Sequence, residues 1–495
     1  MSMISIQNLT FGYDGSYDNI FENVSFQIDT DWKLGFTGRN GRGKTTFLKL
    51  LMGKYEYRGT ISSNMEFDYF PFEVNDKSQF AIDIIKEKDY LEDYDYWKIH
   101  KELSFLDIDE EILYRPFNSL SGGEQAKILL VSLFLKENSF LLIDEPTNHL
   151  DIKSREIVSN YLKSKKGFIL VSHDRNFLDN CIDHILSINK TNIEIQKGNF
   201  SSWYENKQRQ DSFEMSKNEK LKKDIVRLEN SAKQSAEWSN KVEKSKHGTR
   251  NSGLRPDRGY IGHKAAKMMQ RSKNAEARKQ SAIEEKSNLL KNIESTSELK
   301  IHFLKHMSSR LLSLKDVSLF YGNKEICNNI NFEVNQGDRI ALYGKNGCGK
   351  STILKFINGN DKIKSTGNFE KVSNLKISYV SQDTSHLTGN LSDFAKSENI
   401  DESLFKTILR KLDFSRTQFE KDISDFSGGQ KKKVLIAKSL CEQAHLYLWD
   451  EPLNFIDILS RIQIEDLILK FQPTILFVEH DKIFSEKIAT KILKI

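Results

Sequence analysis

The chain begins with apolar side chains at every second position. Ile4-Ser5-Ile6-Gln7-Asn8-Leu9 and Val24-Ser25-Phe26-Gln27-Ile28 both read as strands with one buried face, of the antiparallel kind that lies beside a parallel core. Other runs are apolar throughout. Leu34-Gly35-Phe36-Thr37 ends one strand, Leu141-Leu142-Ile143-Asp144-Glu145 is a second, and residues 168–171 and 474–478 have the same character, as strands covered on both faces do. Phe67-Asp68-Tyr69-Phe70-Pro71-Phe72 is strand-like and stops at its proline. Residues 45–51 start an amphipathic helix, and the polar stretch 82–111 reads as a small helical subdomain. Strand and helix thus alternate in an α/β pattern.

The middle of the chain follows another rule. Residues 200–247 contain no Gly or Pro, and neither do residues 263–321, which predicts two uninterrupted helices. Between them Gly248, Gly253, Pro256, Gly259 and Gly262 mark a turn region. Leu221, Ile225 and Leu228 facing Ile283, Leu289, Leu290 and Ile293 would give a thin apolar seam between antiparallel arms. Arms of roughly 45 residues would reach about 60–70 Å at ~1.5 Å per residue.

Between the run ending at Thr37 and the helix at Thr45 lies Gly38-Arg39-Asn40-Gly41-Arg42-Gly43-Lys44-Thr45-Thr46, which fits G-x-x-x-x-G-K-[ST]. Such a loop turns its N–H groups onto phosphate oxygens at a helix N-terminus. Lys44 would reach the β/γ-phosphates, and the Thr45 hydroxyl would ligate Mg²⁺. The motif returns 306 residues later as Gly344-Lys345-Asn346-Gly347-Cys348-Gly349-Lys350-Ser351-Thr352. The same offset relates Ser121-Gly122-Gly123 to Ser427-Gly428-Gly429, and Asp144-Glu145-Pro146 to Asp450-Glu451-Pro452. His173 is answered by His480, one residue out of register. The chain is an internal duplication.

Two carboxylates at the end of a buried strand are costly unless used. Asp144 and Asp450 would hold Mg²⁺ through water, and Glu145 and Glu451 would polarise the attacking water. Gln382, after the strand at 377–381, would sense the γ-phosphate through Mg²⁺, and Tyr13 and Tyr321 are candidates for stacking on an adenine ring. The Ser-Gly-Gly turns form a second phosphate-binding surface that cannot reach the ATP of its own half. Two halves facing head to tail solve this. Ser427 and Gly429 would cap ATP on Lys44, and Ser121 and Gly123 would cap ATP on Lys350, inside a single chain acting as a monomer.

Composition narrows the partners. With 38% apolar and 29% charged residues, and no apolar run near the ~20 residues that span a bilayer, a cytoplasmic protein without a membrane partner is expected. Cys181, Cys327, Cys348 and Cys441 are scattered without a C-x-x-C, which suits a reducing compartment and argues against a zinc site. The net charge of +5 is uneven: residues 205–300 carry 23 Lys/Arg against 14 Asp/Glu, and residues 241–279 carry 12 against 3. A basic field of that kind points to a polyanion. Arg250, Arg255, Arg258, Tyr260, His263 and Lys264, around the predicted turn, are what a loop threading between RNA phosphates and bases would use.

These motifs resemble the ATP-binding-cassette superfamily in both halves. Two fused cassettes around a long helical linker are similar to the ABC-F proteins. The resemblance implies three parts: cassettes at 1–203 and 307–495, and a linker at 204–306 with its tip near 247–263. It also implies His173 and His480 as switch histidines, ATP and Mg²⁺ as cofactors, and the E site of the 70S ribosome as partner, with no transporter subunit. The extended linker, the lack of an arm insertion and the first P-loop are similar to the antibiotic-resistance branch, whose members protect ribosomes from lincosamides, streptogramin A and pleuromutilins. That implies a tip acting near 23S rRNA or the P-site tRNA. A housekeeping translation factor, the ATPase half of a transporter and a DNA-repair ATPase are the other readings. Three departures stand out: Phe72 in place of a glutamine, Phe455-Ile456-Asp457 against His149-Leu150-Asp151, and Gln430 where the first signature has Glu124. The two sites are therefore expected to be unequal.

Overall fold

The computed structural model describes residues 2–13, 19–89, 96–136, 138–148, 150–188, 193–244, 258–289, 298–322, 324–345 and 347–495. It divides into two units, one of Met1–Ile188, Asn192–Ser201 and Thr296–Ile495, the other of Asn189–Thr191 and Ser202–Ser295.

The first unit contains both halves of the duplication. The first half runs β1 (Met3–Phe11), β2 (Phe21–Asp29), β3 (Lys33–Thr37), α1 (Lys44–Leu51), β4 (Arg58–Ser62) and β5 (Glu66–Phe70). It continues with α2 (Ala81–Asp89), α3 (Tyr96–Phe105), α4 (Gly122–Leu135), β6 (Ser139–Asp144), α5 (Ile152–Ser164), β7 (Phe168–Val171), α6 (Arg175–Cys181), β8 (His184–Ile188) and β9 (Ile193–Lys197). The alternating strands pair antiparallel in the order β2-β1-β4, and the apolar ones form a sheet β5-β6-β7-β3-β8-β9, parallel except for β9. Helix α1 lies between the two sheets, burying Phe47, Leu48 and Leu51 against Ile4 and Leu9 on one side and Phe36 and Val171 on the other. Truncating Phe47 to Ala would cost about 3–5 kcal/mol.

After α7 (Phe200–Lys244) and α8 (Arg258–Leu289), the second half repeats the plan. It runs β10 (Arg310–Tyr321), β11 (Lys324–Asn335), β12 (Arg339–Tyr343), α9 (Lys350–Ile357), β13 (Ile363–Lys371), β14 (Ile377–Val380), α10 (Leu391–Ser397), α11 (Glu402–Lys411) and α12 (Gly428–Cys441). Then come β15 (Leu446–Asp450), α13 (Ile458–Phe471), β16 (Ile475–Val478), α14 (Lys482–Ile488) and β17 (Lys491–Lys494). The sheets are β11-β10-β13 and β14-β15-β16-β12-β17. Fold class is as the sequence predicts: α/β, with two tandem cassettes and long intervening helices.

One expectation fails here. The second Gly- and Pro-free run does not stay helical to residue 321, because Arg310–Tyr321 is β10, and Leu299 and Ile301 are buried in the core of the second half. The alternation in Leu312-Ser313-Leu314 outweighs the lack of helix breakers. Helix α8 also starts earlier than the turn signals suggest, taking in Gly259 and Gly262.

The second unit is an antiparallel helix pair whose buried seam includes small residues. Ala232, Ser239, Ala265 and Ser272 are buried, with Ser239 Oγ donating to Ala265 O and Ser272 Oγ to Ala232 O, both at 3.0 Å. Lys217–Glu285 at 2.7 Å and Lys279–Glu229 at 3.5 Å flank this seam. Leu221, Ile225 and Leu228 are half-buried and Ile283 is exposed; the side chain of Leu289, together with Leu290 and Ile293, lies outside the described residues. At ~1.5 Å per residue, the 45 residues of α7 extend about 67 Å and the 32 of α8 about 48 Å.

Candidate nucleotide sites

Each P-loop bends through glycines in the left-handed region. Gly43 (φ 92°) and Gly349 (φ 100°) precede α1 and α9, and a Cβ on Gly43 would fall 2.5 Å from Ile20 Cγ2. Both P-loop lysines are buried and curl back onto their loops. Lys44 Nζ donates to Gly38 O at 2.7 Å, Arg39 O at 3.3 Å and Asn40 Oδ1 at 3.3 Å; Lys350 Nζ donates to Gly344 O at 2.8 Å and Lys345 O at 2.9 Å. These acceptors are neutral, so each ammonium still calls for an anion. The hydroxyls behind them meet the strand-end carboxylates, Thr45 Oγ1 to Asp144 Oδ2 at 3.0 Å and Ser351 Oγ to Asp450 Oδ1 at 2.8 Å.

The next residue is strained in both halves: Glu145 has φ 52° and Glu451 φ 47°, a conformation that non-glycine residues keep where the surroundings over-determine it. A hydrogen bond from each Glu N–H to the neighbouring strand, to Val171 O at 2.9 Å and Val478 O at 3.0 Å, holds it there. The carboxylates then face the histidines, His173 Nε2 to Glu145 Oε1 at 3.4 Å and His480 Nε2 to Glu451 Oε1 at 3.3 Å.

Their electrostatics differ. Burial, reinforced by Asp144, pushes Glu145 up to about 8, while burial and the nearby Lys44 hold His173 well below the usual imidazole range. Glu451 is lowered instead: burial would raise it, but His480, Lys432 and Gln382, whose Nε2 donates to Glu451 Oε2 at 2.9 Å, favour its charged form. Asn454 Nδ2 donates to the same oxygen. In the first half Tyr69 OH donates to Asp144 Oδ2 at 2.8 Å.

Both cavities take residues from both halves. One of about 430 Å³ is lined by Tyr13, Ile20, Asn40, Gly41, Gly43, Lys44, Thr45, Thr46, Glu145 and His173, and across from them by Ser427, Gly428, Gly429 and Phe455. The other, about 460 Å³, is lined by Ile326, Gly347, Gly349, Lys350, Ser351, Thr352, Gln382, Glu451 and His480, with Gly122, Asn148 and Leu150 opposite. Ser121 and Ser427 are helix N-caps, each accepting from the backbone N–H three residues on, and Gly123 follows Gly122 into α4. A Cβ on Gly429 would fall 2.3 Å from Phe455 O and 3.0 Å from Asn40 Nδ2, so only glycine fits that contact. Between the halves Asn40 Nδ2 donates to Phe455 O at 2.8 Å, Arg39 and Arg42 each reach Asp413 at 3.7 Å, and Arg175 pairs with the buried Glu465.

Tyr13 OH lies 2.8 Å from Thr46 Oγ1, and Tyr321 is outside the lining of the second cavity. Asn346, Arg250 and Arg255 lie outside the described residues. Arg258, Tyr260, His263 and Lys264 fall in the first two turns of α8, with Tyr260 65% exposed. Asn148, the last residue of the repeated motif at 141–148, and Phe455, where the second half departs from the first, line the cavities, while Asp413, which meets Arg39 and Arg42 of the first P-loop, lies in no motif. The donor set fits a magnesium nucleotide: hydroxyl, carboxylate and amide oxygens suit a hard cation, and two buried ammonium groups with N–H-lined loops suit phosphates.

Residues 21–148 and 327–454 each match the model of a family described as ABC transporter. ATP-binding protein Uup of Buchnera aphidicola is 28% identical over 517 residues, which cover 99% of this chain and 80% of that one. Ribosome protection protein VmlR of Bacillus subtilis is 28% identical over 494 residues, covering 98% and 85%. Among solved structures, archaeal ribosome recycling factor aABCE1 in complex with the ribosomal stalk protein aP1 shares the fold, with a TM-score of 0.63 at 18% identity over 98% of this chain and 87% of that one. Among the described residues, no helix is long and apolar enough to cross a membrane.

Proposed function

We propose, since this chain belongs to the ABC transporter family through both of its halves, that its two cassettes form an ABC-F clamp that works on the 70S ribosome in the cytoplasm and protects it from antibiotics. The chain is an ATPase that uses ATP with Mg²⁺. When bound, Mg²⁺ neutralises charge on the β- and γ-phosphates; Lys44 and Lys350 grip the same phosphates, and Thr45, Asp144, Ser351, Asp450 and Gln382 are the residues to hold the ion. Glu145 and Glu451 orient and deprotonate the attacking water, and His173 and His480 fix those carboxylates.

The observation that carries this reading is that each cavity is completed by the opposite half. Nucleotide then favours the closed arrangement and hydrolysis releases it, so ATP times a two-state clamp. The helical segment, taken as residues 204–306 between cassettes at 1–203 and 307–495, supplies the basic surface for rRNA or P-site tRNA, with a net charge of +9 over residues 205–300. The likeness to a ribosome protection protein is what supports the drug-resistance part of this reading.

The test is growth of a sensitive bacterium expressing the chain against lincomycin, a pleuromutilin, a streptogramin A and a macrolide, with Glu145→Gln/Glu451→Gln as control. Resistance to the first three is the expected outcome. No shift with any drug, alongside retained ribosome binding in ATP, would transfer the reading to a housekeeping translation factor.

A further inference from the structure

The second ATP site contains two buried ionisable side chains that the first lacks, and burial pushes one of them, Glu479, up to about 7. Lys432, in the first turn and a half of α12, is 2% exposed and donates to Ser381 O at 2.9 Å and Asp450 O at 3.4 Å. Those carbonyls immediately precede Gln382 and Glu451. Glu479, just past β16, is 6% exposed and divides its carboxylate between two backbone donors: Leu453 N to Oε1 at 2.7 Å and His480 N to Oε2 at 3.2 Å. Leu453 lies two residues after Glu451. Of the carboxylates around the Lys432 ammonium, Glu479 exerts the largest field. Together the two groups tie the ends of β14, β15 and β16, which carry Gln382, Glu451 and His480 into one cavity.

The first half solves the same problem without charge. At the positions of Lys432, Glu479 and Leu453 it has Ala126, Ser172 and Thr147, with Thr147 Oγ1 and Ser172 Oγ 3.4 Å apart, and Phe72 stands where Gln382 would be expected. Buried charges without a use are costly, and here both are spent on backbone groups next to reacting side chains.

We propose that Lys432 and Glu479 are positioning residues of the second ATP site, fixing Gln382, Glu451 and His480 as one unit. The inference rests on the reading of Glu451 and His480 as the hydrolytic pair. Neither charge touches the nucleotide cavity, so both act through the loops they anchor.

The experiment uses the full chain carrying Glu145→Gln, so that steady-state hydrolysis reports the second site. Glu479→Ala and Lys432→Ala are each expected to lower its kcat by about 10–100-fold, the cost of a misplaced catalytic group, with KM for ATP within about twofold. Glu479→Gln, which keeps an acceptor for Leu453 N–H, should lose less. The set Lys432→Ala/Glu479→Ser/Leu453→Thr, copying the first half, should recover most of the loss. Amide hydrogen exchange without ATP supplies a readout independent of activity: exchange at Leu453 and His480 should quicken by at least about tenfold in Glu479→Ala while the global melting temperature moves by no more than about 3 °C. Unchanged kcat and exchange, or a loss matched by unfolding and unrecovered by the triple set, would overturn the proposal. Glu451→Gln in the same background tests the underlying reading: retained hydrolysis there would remove Glu451 as the base, and the exchange data would still decide whether Glu479 anchors the loops.

Discussion

The two ATP sites are copies of one plan, and their differences fall in two places. At the first, the P-loop itself reaches the other half: Arg39 and Arg42 meet Asp413, and Asn40 meets Phe455 O. At the second, Asp107, which stands where Asp413 stands in the repeat, pairs with Lys153 of its own half at 3.2 Å. The strand-end glutamates diverge the other way. Glu451 has Gln382, Asn454 and His480 around it and is held in its charged form, whereas Glu145 faces His173 alone among these groups and is pushed up to about 8 by burial and by Asp144. The phosphate grip is the same in both copies, while the contacts around the P-loop and around the strand-end glutamate differ, and that difference predicts a first site that holds nucleotide and a second that hydrolyses it.

The largest effect that could break this comparison comes from the carboxylates themselves. Glu451→Gln alone is expected to lower steady-state phosphate release by about 10²-fold or more, the usual contribution of a positioned base, and Glu145→Gln alone by less than about fivefold. The double variant should retain ATP and stay closed. Equal losses from the two single variants would show that the extra donors around Glu451 do not matter to hydrolysis.

A smaller effect tests the holding side. Asp413→Asn removes two ion pairs, one to the buried Arg39 and one to the partly exposed Arg42, worth roughly 0.2–1 kcal/mol each, so a fluorescent ATP analogue should leave the first site about 2–30-fold faster, and faster still in low salt relative to the intact chain. Asp107→Asn should leave release from the second site unchanged, because its partner Lys153 belongs to the same half. Equal responses to the two substitutions would mean that the Arg39 and Arg42 contacts are incidental to nucleotide retention.

What the sequence disclosed and what it hid follow the same division. A P-loop needs glycines where φ is positive and a Lys-Thr or Lys-Ser pair at fixed spacing, so Gly43, Lys44 and Thr45 are legible one residue at a time. In the first half β1, β2, β3, β5, β6 and β7 were legible because burial on one face or two imposes a period, whereas the exposed β4 and the sheet-edge pair β8 and β9 carry no such signal. Asp413 was not legible, since its role depends on packing against residues 374 positions earlier, and nothing local distinguishes it from Asp107. Over residues 298–321 the lack of Gly and Pro permits a helix without requiring one, and the alternation in β10 decides the outcome, in keeping with a second cassette that begins near residue 307. The helix pair was legible as two long helices but neither in the ends of the second helix nor in its seam, where the buried Ser239 donates to Ala265 O and small residues take the place of the Leu and Ile that a heptad pattern would name.

The finest distinction lies at Phe455, the residue where the second half departs from His149 of the first. Two features of it could matter to the first site. Its carbonyl accepts from Asn40, and its ring lies close enough that a Cβ on Gly428 would meet it at 3.5 Å. The backbone at Phe455 is left-handed, with φ 63°, which places the carbonyl toward Asn40 whatever the side chain is. Phe455→His keeps that carbonyl and suits the left-handed region at least as well, so release of nucleotide from the first site should change by less than about twofold, within the range of a substitution that breaks no named contact. Asn40→Ala removes that hydrogen bond together with the longer one from Lys44 Nζ to Asn40 Oδ1, and should exceed it, at about 1 kcal/mol or more, roughly fivefold and upward. A reversal of that order would move the contact from the backbone to the ring, and the departure at Phe455 would then be part of how the first site closes.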